Sequence, residues 1–293
     1  MLIDDVVEFC DNEYNDNICV NCNSKTTCND HICGCKKCLY DLHFHYNIYR
    51  NSYNCERLFD YYVCRYSHKY CSEILYALEE CVDLSQYPFF HILSLGCGAS
   101  PDLMAFDYLR TTHAIQTNKP ISFIGLDKNT YLKKIHNYII SSYNDVKVNY
   151  ACNLDVLKYF QTHSIRGTNV LIIQYLISCF YSILGKDGLR QWFSKIANNI
   201  ISYKPTNSQM LIIINDNDSI HTGRDSFYLL TEEIEKLGFK VSEQRMRFRN
   251  DSYYKNSHQY SSCNNFFEIP NYIKEKYSTA IRCTSAQLIL EVY

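Results

Sequence analysis

The sequence predicts an α/β fold: a seven-stranded, mostly parallel sheet with helices on both faces, preceded by a small Cys-rich unit. Three observations carry this. From residue 88 onward, short apolar runs alternate with amphipathic stretches, the rhythm of a parallel sheet whose crossovers are helices. One run, Asn169 to Tyr175 (NVLIIQY), is almost continuously apolar, which suits a strand covered on both faces. The first run ends in a glycine turn that leads straight into a helix start, LSLGCGASPDL.

Ile92 to Leu95 is the first strand, and Gly96, Cys97 and Gly98 form the tight turn after it. Ser100 suits a helix cap and Pro101 the first helical position, so Leu103 to Leu109 continues as helix. The polar loop Thr111 to Pro120 precedes the second strand, Ile121 to Leu126, which ends in Asp127. Tyr131 to Ser142 reads as helix, and Val146 to Tyr150 as the third strand, followed by CNLDVLKYF. Asn169 to Tyr175 is the fourth strand, Leu189 to Ser202 a helix and Met210 to Asn215 the fifth strand. Phe227 to Leu237 is a helix closed by Gly238. Lys240 to Phe248 and Ala286 to Val292 are the last two strands. No internal repeat is visible.

Ahead of the first strand, residues 49–87 form a helical cover. Its stretch CERLFDYYVCRYSHKYCSEILYALEECV has no Gly or Pro, and Leu58, Tyr62, Tyr66, Ile74 and Leu78 fall on or near one stripe. It reads as one or two helices. Tyr61, Tyr62, Tyr66 and Tyr70 form either a core stripe or a lid over a ligand.

The chain has 293 residues, enough for one large domain and an appendage, and its net charge of −2 creates no global field that selects nucleic acid or membrane. No apolar run reaches the roughly 18 residues of a membrane span. The acidic start MLIDDVVEFCDNEYND lacks the basic segment of a signal peptide, so a cytoplasmic protein is expected. Of the 16 cysteines, seven lie between Cys10 and Cys38. Without a signal peptide, metal binding is the better reading of that cluster than disulfides. Cys19 and Cys22 form one C-x-x-C pair and Cys35 and Cys38 another, with twelve residues between Cys22 and Cys35. Each pair places two thiolates on one turn, and two such turns close a tetrahedral structural zinc site. Cys28, Cys33, His31, His43 and His45 are spare donors, which leave room for a second ion or another ligand choice. The competing reading is a tail of reduced thiols. Residues 1–48 are thus expected to be a zinc module.

The strand, the glycine turn and the helix start at 92–103 cradle a nucleotide-like ligand. Glycines let it lie on bare backbone, and the helix start offers unpaired N–H groups. A dinucleotide fingerprint needs a small residue at its sixth place, but here that place is Pro101, which argues against NAD or FAD. The run resembles motif I of the class I S-adenosylmethionine (SAM) methyltransferases over residues 88–293. The resemblance implies the strand order 3-2-1-4-5-7-6 with the last strand antiparallel. It also implies SAM beside Gly96, Cys97 and Gly98. The family's motif I carries an acid two residues before the first glycine; this chain has Ser94, with Asp102 nearby in sequence.

A carboxylate at the end of the second strand accepts two hydrogen bonds from a ribose diol, and Asp127, followed by Lys128, stands there. It lies 31 residues beyond Gly96, a spacing lengthened by the polar loop before Pro120. Its other reading is a helix cap. By the resemblance, Asp155 or Asn153 meets the adenine amino group, with Leu154 or Val156 beside the ring; either polar residue serves equally as a helix cap. Gln174 and Tyr175 end the fourth strand, where the family faces the methyl group. They do not form the N-P-P-Y type of amino methyltransferases. Asn215, Asp216 and Asp218 end the fifth strand at the same rim, and Asp216 or His221 is a candidate base. Gln174, Tyr175 and Asp216 are the candidates for catalysis.

For the acceptor, Arg245, Arg247 and Arg249 alternate along a strand and make either a phosphate-binding stripe or an ordinary charged face. Three functions follow: a methyltransferase on RNA or protein, favoured here; one on a small molecule; or a degenerate methyltransferase fold acting as a zinc-dependent nucleic-acid or protein binding module.

Overall fold

The computed structural model describes residues 1–16, 35–36, 38–40, 55–144, 146–206, 208–251 and 253–293. Strands β1 (Phe90–Leu95), β2 (Ile121–Leu126), β3 (Lys147–Ala151), β4 (Val170–Gln174) and β5 (Met210–Asn217) run parallel. β8 (Ser285–Val292) is antiparallel to β5 and to β6 (Val241–Arg247), and the two-residue β7 (His258–Gln259) pairs with β6. The order is β3-β2-β1-β4-β5-β8-β6-β7. The sheet therefore has eight strands where the sequence predicts seven. The expected seven keep the expected order, and β7 extends one edge. A two-residue strand carries no alternation to read, so its pairing with Met246 and Arg247 is visible only in three dimensions.

Two apolar layers cover the sheet. On one face Ile92, Phe123, Ile172, Ile213 and Ile289 pack under α1 (Leu2–Asp16), α2 (Glu56–Glu80), α3 (Pro101–Thr111) and α8 (Asn271–Tyr277). On the other, Leu93, Leu95, Leu171, Ile173, Ile212 and Leu288 pack under α6 (Ile177–Asn199) and α7 (Tyr228–Lys236). Between β2 and β3 lies α4 (Lys133–Ser142), and after β3 the single turn α5 (Val156–Tyr159).

Residues 56–80 form one continuous helix, within the expected one or two. Three other local expectations change. Ser100 holds the cap position of α3, but its φ is +62° and its side chain does not cap; Pro101 follows as expected. The helix read as starting at Leu189 starts at Ile177, with a non-helical residue, Gly185, inside it. The glycines at 185 and 188 hide the first half from a pattern search. Finally α1, grouped by sequence with the Cys-rich unit, is built into the main core: Leu2, Ile3, Val6, Val7 and Cys10 are buried against α2 and the sheet side. Those five residues repeat at helical spacing, so α1 has an apolar face that must be covered.

Cys35, in the helical pair 35–36, is buried, and Cys38, in the helical residues 38–40, is half-buried. The Cys35 thiol points to the carbonyl of Arg57 at 3.9 Å. Cys19, Cys22, Cys28, His31, Cys33, His43 and His45 lie outside the described residues. Among the described residues no three His, Cys, Asp or Glu side chains are grouped to hold a metal. Among them, too, no helix is long and apolar enough to cross a membrane.

Candidate active site

The strand order reverses between β1 and β4, so the chains leaving these two strands part in opposite directions and open a crevice at the C-terminal edge. The glycine turn lines it. Leu126 at the end of β2 accepts hydrogen bonds from Gly96 N (2.8 Å) and Cys97 N (3.2 Å), which ties the turn to the neighbouring strand. Gly96 and Gly98 have φ of +67° and +52°, the left-handed region that side chains disfavour. A Cβ built on Gly98 meets nothing within 4 Å, so that face of the turn is open; one on Gly96 stands 3.1 Å from Leu176.

Asp127 stands against this turn. Its carboxylate accepts from Gly98 N at 3.0 Å and from Asn129 N at 2.8 Å. Burial raises its pKa, and the backbone donors of Asn129, Gly98 and Lys128, with the Lys128 charge, oppose that rise. Asp127 is half-buried as a residue, and its carboxylate accepts from the backbone N–H groups of Gly98, Asn129 and Lys128. Lys128 beside it is exposed.

The end of β3 forms the next wall. Asp127 N donates to Ala151 O and Leu154 N donates to Asp127 O, so the loop at 152–155 is held beside the acid. Asn153 is exposed with φ +67°, and Leu154 is half-buried. Asp155 caps α5 by accepting from Leu157 N at 3.0 Å, the cap role its position allows.

Beneath the turn lies a group that sequence reasoning missed. Tyr150 on β3 and His136 on α4 stack with ring centroids 3.8 Å apart and 5° between planes. Tyr150 Oη donates to Ser100 Oγ (2.9 Å), and His136 Nε2 lies 2.6 Å from Gly98 O. Gly125 makes room for them: a Cβ there falls 2.7 Å from the Tyr150 ring and 2.8 Å from Cys97 Sγ. The Cys97 thiol is thus buried behind the turn, and only the backbone of Cys97 belongs to the open side.

The last wall joins β4, β5 and α2. Gln174, Asn215 and Gln287 follow Ile172, Ile213 and Ile289 on the same sheet face and close it with a polar row. Asn215 Nδ2 donates to Gln174 Oε1 (3.0 Å) and to Glu73 Oε2 (3.0 Å); Gln287 Nε2 donates to Asn215 Oδ1 (3.1 Å). Tyr175, with φ +51°, donates to Glu73 Oε2 at 2.8 Å and accepts from Lys69 Nζ at 2.7 Å. Glu73 is fully buried, and its other oxygen accepts from Thr284 N and Ser285 N. Lys69 and Glu73, four apart on α2, are the one sequence signal that marks this network. Tyr62 and Tyr70 on α2 share a hydroxyl contact of 3.3 Å, and Tyr70 packs on Tyr175 at 4.3 Å. Of the four tyrosines, Tyr61 and Tyr70 are buried and Tyr62 and Tyr66 half-buried.

Asp216 is buried at the end of β5. It accepts from Ser178 N (2.9 Å) and Asn217 N (2.7 Å), and burial pushes its pKa up to about 6. Asp218 is taken up by an ion pair with the buried Arg224, and His221 is exposed. Ser100, Asn153 and Tyr175 are non-glycine residues with left-handed φ, and one follows each of β1, β3 and β4. Such backbone clusters where function demands it.

The arginine stripe does not form a free basic face. Arg245 pairs with Glu243 at 2.5 Å, Arg249 pairs with Asp251 at 2.5 Å, and Arg247 donates to Arg249 O.

No protein-family model matches the chain, and no curated protein matches it. Solved structures similar to it include CurJ carbon methyltransferase (10% identity, 77% of this chain and 53% of that one, TM-score 0.39). Others are TrmN from Thermus thermophilus (9%, 81% and 48%, TM-score 0.38) and Aeropyrum pernix fibrillarin with natively bound S-adenosyl-L-methionine (10%, 77% and 76%, TM-score 0.40). The chain spans about half the length of the CurJ structure and about 40% of the WbdD and EvdMO1 structures it also matches.

Proposed function

We propose that this protein is a SAM-dependent methyltransferase of the class I type. The observation that supports the reading most is the Asp127 carboxylate 3.0 Å from Gly98 N, at the point where strand order reverses. The residues present fit a nucleoside: an open backbone face at Gly98, and a partly exposed acid beside it. Asp127 accepts the ribose hydroxyls, with Lys128 at the rim. Asn153, Leu154 and Asp155 flank the base. The backbone of Gly96, Cys97 and Gly98 lies along the amino-acid part. When bound, SAM supplies a methyl group already activated on a sulfonium. The protein's task is then to align the acceptor, which is orientation work. Gln174 and Tyr175 form the floor of the acceptor side, and Tyr175 is held rigid by Lys69 and Glu73. Asp216, with a pKa near 6, takes a proton from the acceptor where the acceptor carries one.

The acceptor in this reading is RNA or protein, supported by the Cys-rich segment in the same chain. The paired state of Arg245 and Arg249 withdraws the arginine stripe as support for phosphate. That segment carries a structural zinc on Cys19, Cys22, Cys35 and Cys38. The donor chemistry, four cysteines in two C-x-x-C pairs, fits a closed thiolate site.

Isothermal titration with SAM tests the reading. Wild type binds, and Asp127→Ala loses about 100-fold in affinity, the worth of two charge-assisted hydrogen bonds. Unchanged affinity in the variant removes Asp127 from the site. A wild type that does not bind SAM leaves the binding-module reading in its place.

A further inference from the structure

His136 is buried on α4, 2% exposed, and makes polar contacts on both sides of its ring. Gly98 O, 2.6 Å from Nε2, is a carbonyl and only accepts. Nε2 therefore carries the proton. Nδ1 is then an acceptor, and the Cys152 thiol 3.1 Å away is its donor. Burial holds the ring neutral, with its pKa lowered to about 4, so this tautomer persists through the physiological range. The ring lies flat on Tyr150, whose hydroxyl holds Ser100 at the far end of the turn. Asp127 holds Gly98 from the other side through its N–H.

We infer that His136 is the positioning residue of the cofactor turn: it holds the Gly98 carbonyl while Asp127 holds the Gly98 N–H. The two peptide groups that flank the Gly98 Cα are thus fixed before any ligand arrives. A glycine free to rotate would otherwise have to be ordered on binding, and pre-ordering removes that cost from the affinity. The inference rests on the proposed SAM site and adds the residue that shapes it from behind. His136 touches no ligand and takes no part in methyl transfer.

Calorimetric titration with S-adenosylhomocysteine tests it. The wild type is measured first; if it does not bind, the SAM reading itself has failed. Given wild-type binding, His136→Phe keeps the ring on Tyr150 but removes the donor, and is expected to weaken binding about tenfold. His136→Gln restores an N–H on a similar stem and recovers most of the loss. A Phe variant within twofold of wild type, or a Gln variant no better than Phe, overturns the inference. A second measurement needs no variant to fold: the long-range 1H–15N spectrum of wild type shows His136 as the Nε2–H tautomer. The Nδ1–H tautomer overturns the inference equally.

Discussion

Replacing Glu73 by alanine removes the acceptor on which α2, β4, β5 and β8 converge. In the wild type the carboxylate, 0% exposed, accepts from Tyr175 Oη (2.8 Å), Asn215 Nδ2 (3.0 Å), Thr284 N (2.9 Å) and Ser285 N (3.2 Å). Lys69 Nζ stands 3.5 Å away as its ion-pair partner and is only 10% exposed. Alanine leaves that ammonium without its counter-charge. Breaking a buried pair from one side costs about 3–5 kcal/mol. An unfolding entropy of about 2.1 cal/mol/K per residue gives roughly 0.6 kcal/mol/K for 293 residues. A loss of about 4 kcal/mol therefore lowers Tm by roughly 6–7 °C. Glu73→Gln keeps the shape but turns an NH2 toward a donor whichever way the amide lies, and costs about 2 kcal/mol. Differential scanning calorimetry of the two variants is the assay. Melting of both within about 1 °C of wild type would refute the idea that this carboxylate clamps α2 onto the sheet edge.

Three further outcomes are expected. His68 is 1% exposed with its pKa held at about 4 by burial, below the value near 6.5 of the unfolded chain. Its stabilisation is complete above about pH 6.5 and is lost as pH falls toward 4, so His68→Leu gains on wild type by about 2–3 kcal/mol between pH 7 and 4 in urea unfolding. A difference that stays flat with pH would contradict the burial argument. The total curve is less steep, because Asp102 and Asp216, raised to about 6, favour the folded state as pH falls through the same window. Gly125→Ala pushes a methyl to 2.7 Å from Tyr150 and costs about 1–3 kcal/mol while weakening SAM binding, read by thermal shift and calorimetry. The purified full chain is expected to carry zinc by elemental analysis. Replacing Cys19 and Cys22 by Ser should release it, and a metal content unchanged by those substitutions would remove both residues from the proposed ligands.

The alternation of apolar runs and helical stretches, the glycine turn and the acid after the second strand were all legible in the sequence, because each is written in neighbouring residues. Period and turn chemistry act over a few positions, and they led to the strand order through the resemblance they carried. The short β7 and the first half of α6 were not legible, one too brief for a pattern and the other masked by two glycines. Nor was α1 read as core, although Ile3, Val6, Val7 and Cys10 mark its apolar face. The partners of the polar groups lay wholly beyond the sequence. Asp127 reaches Gly98 across 29 residues, His136 reaches Gly98 O across 38, and Glu73 reaches Asn215 across 142. The sequence by itself determined most of the elements and where the glycine turn lies. Only the tertiary structure decided which buried donors meet which acceptors, because a hydrogen bond depends on distance and direction within a few tenths of an ångström, and packing alone sets both.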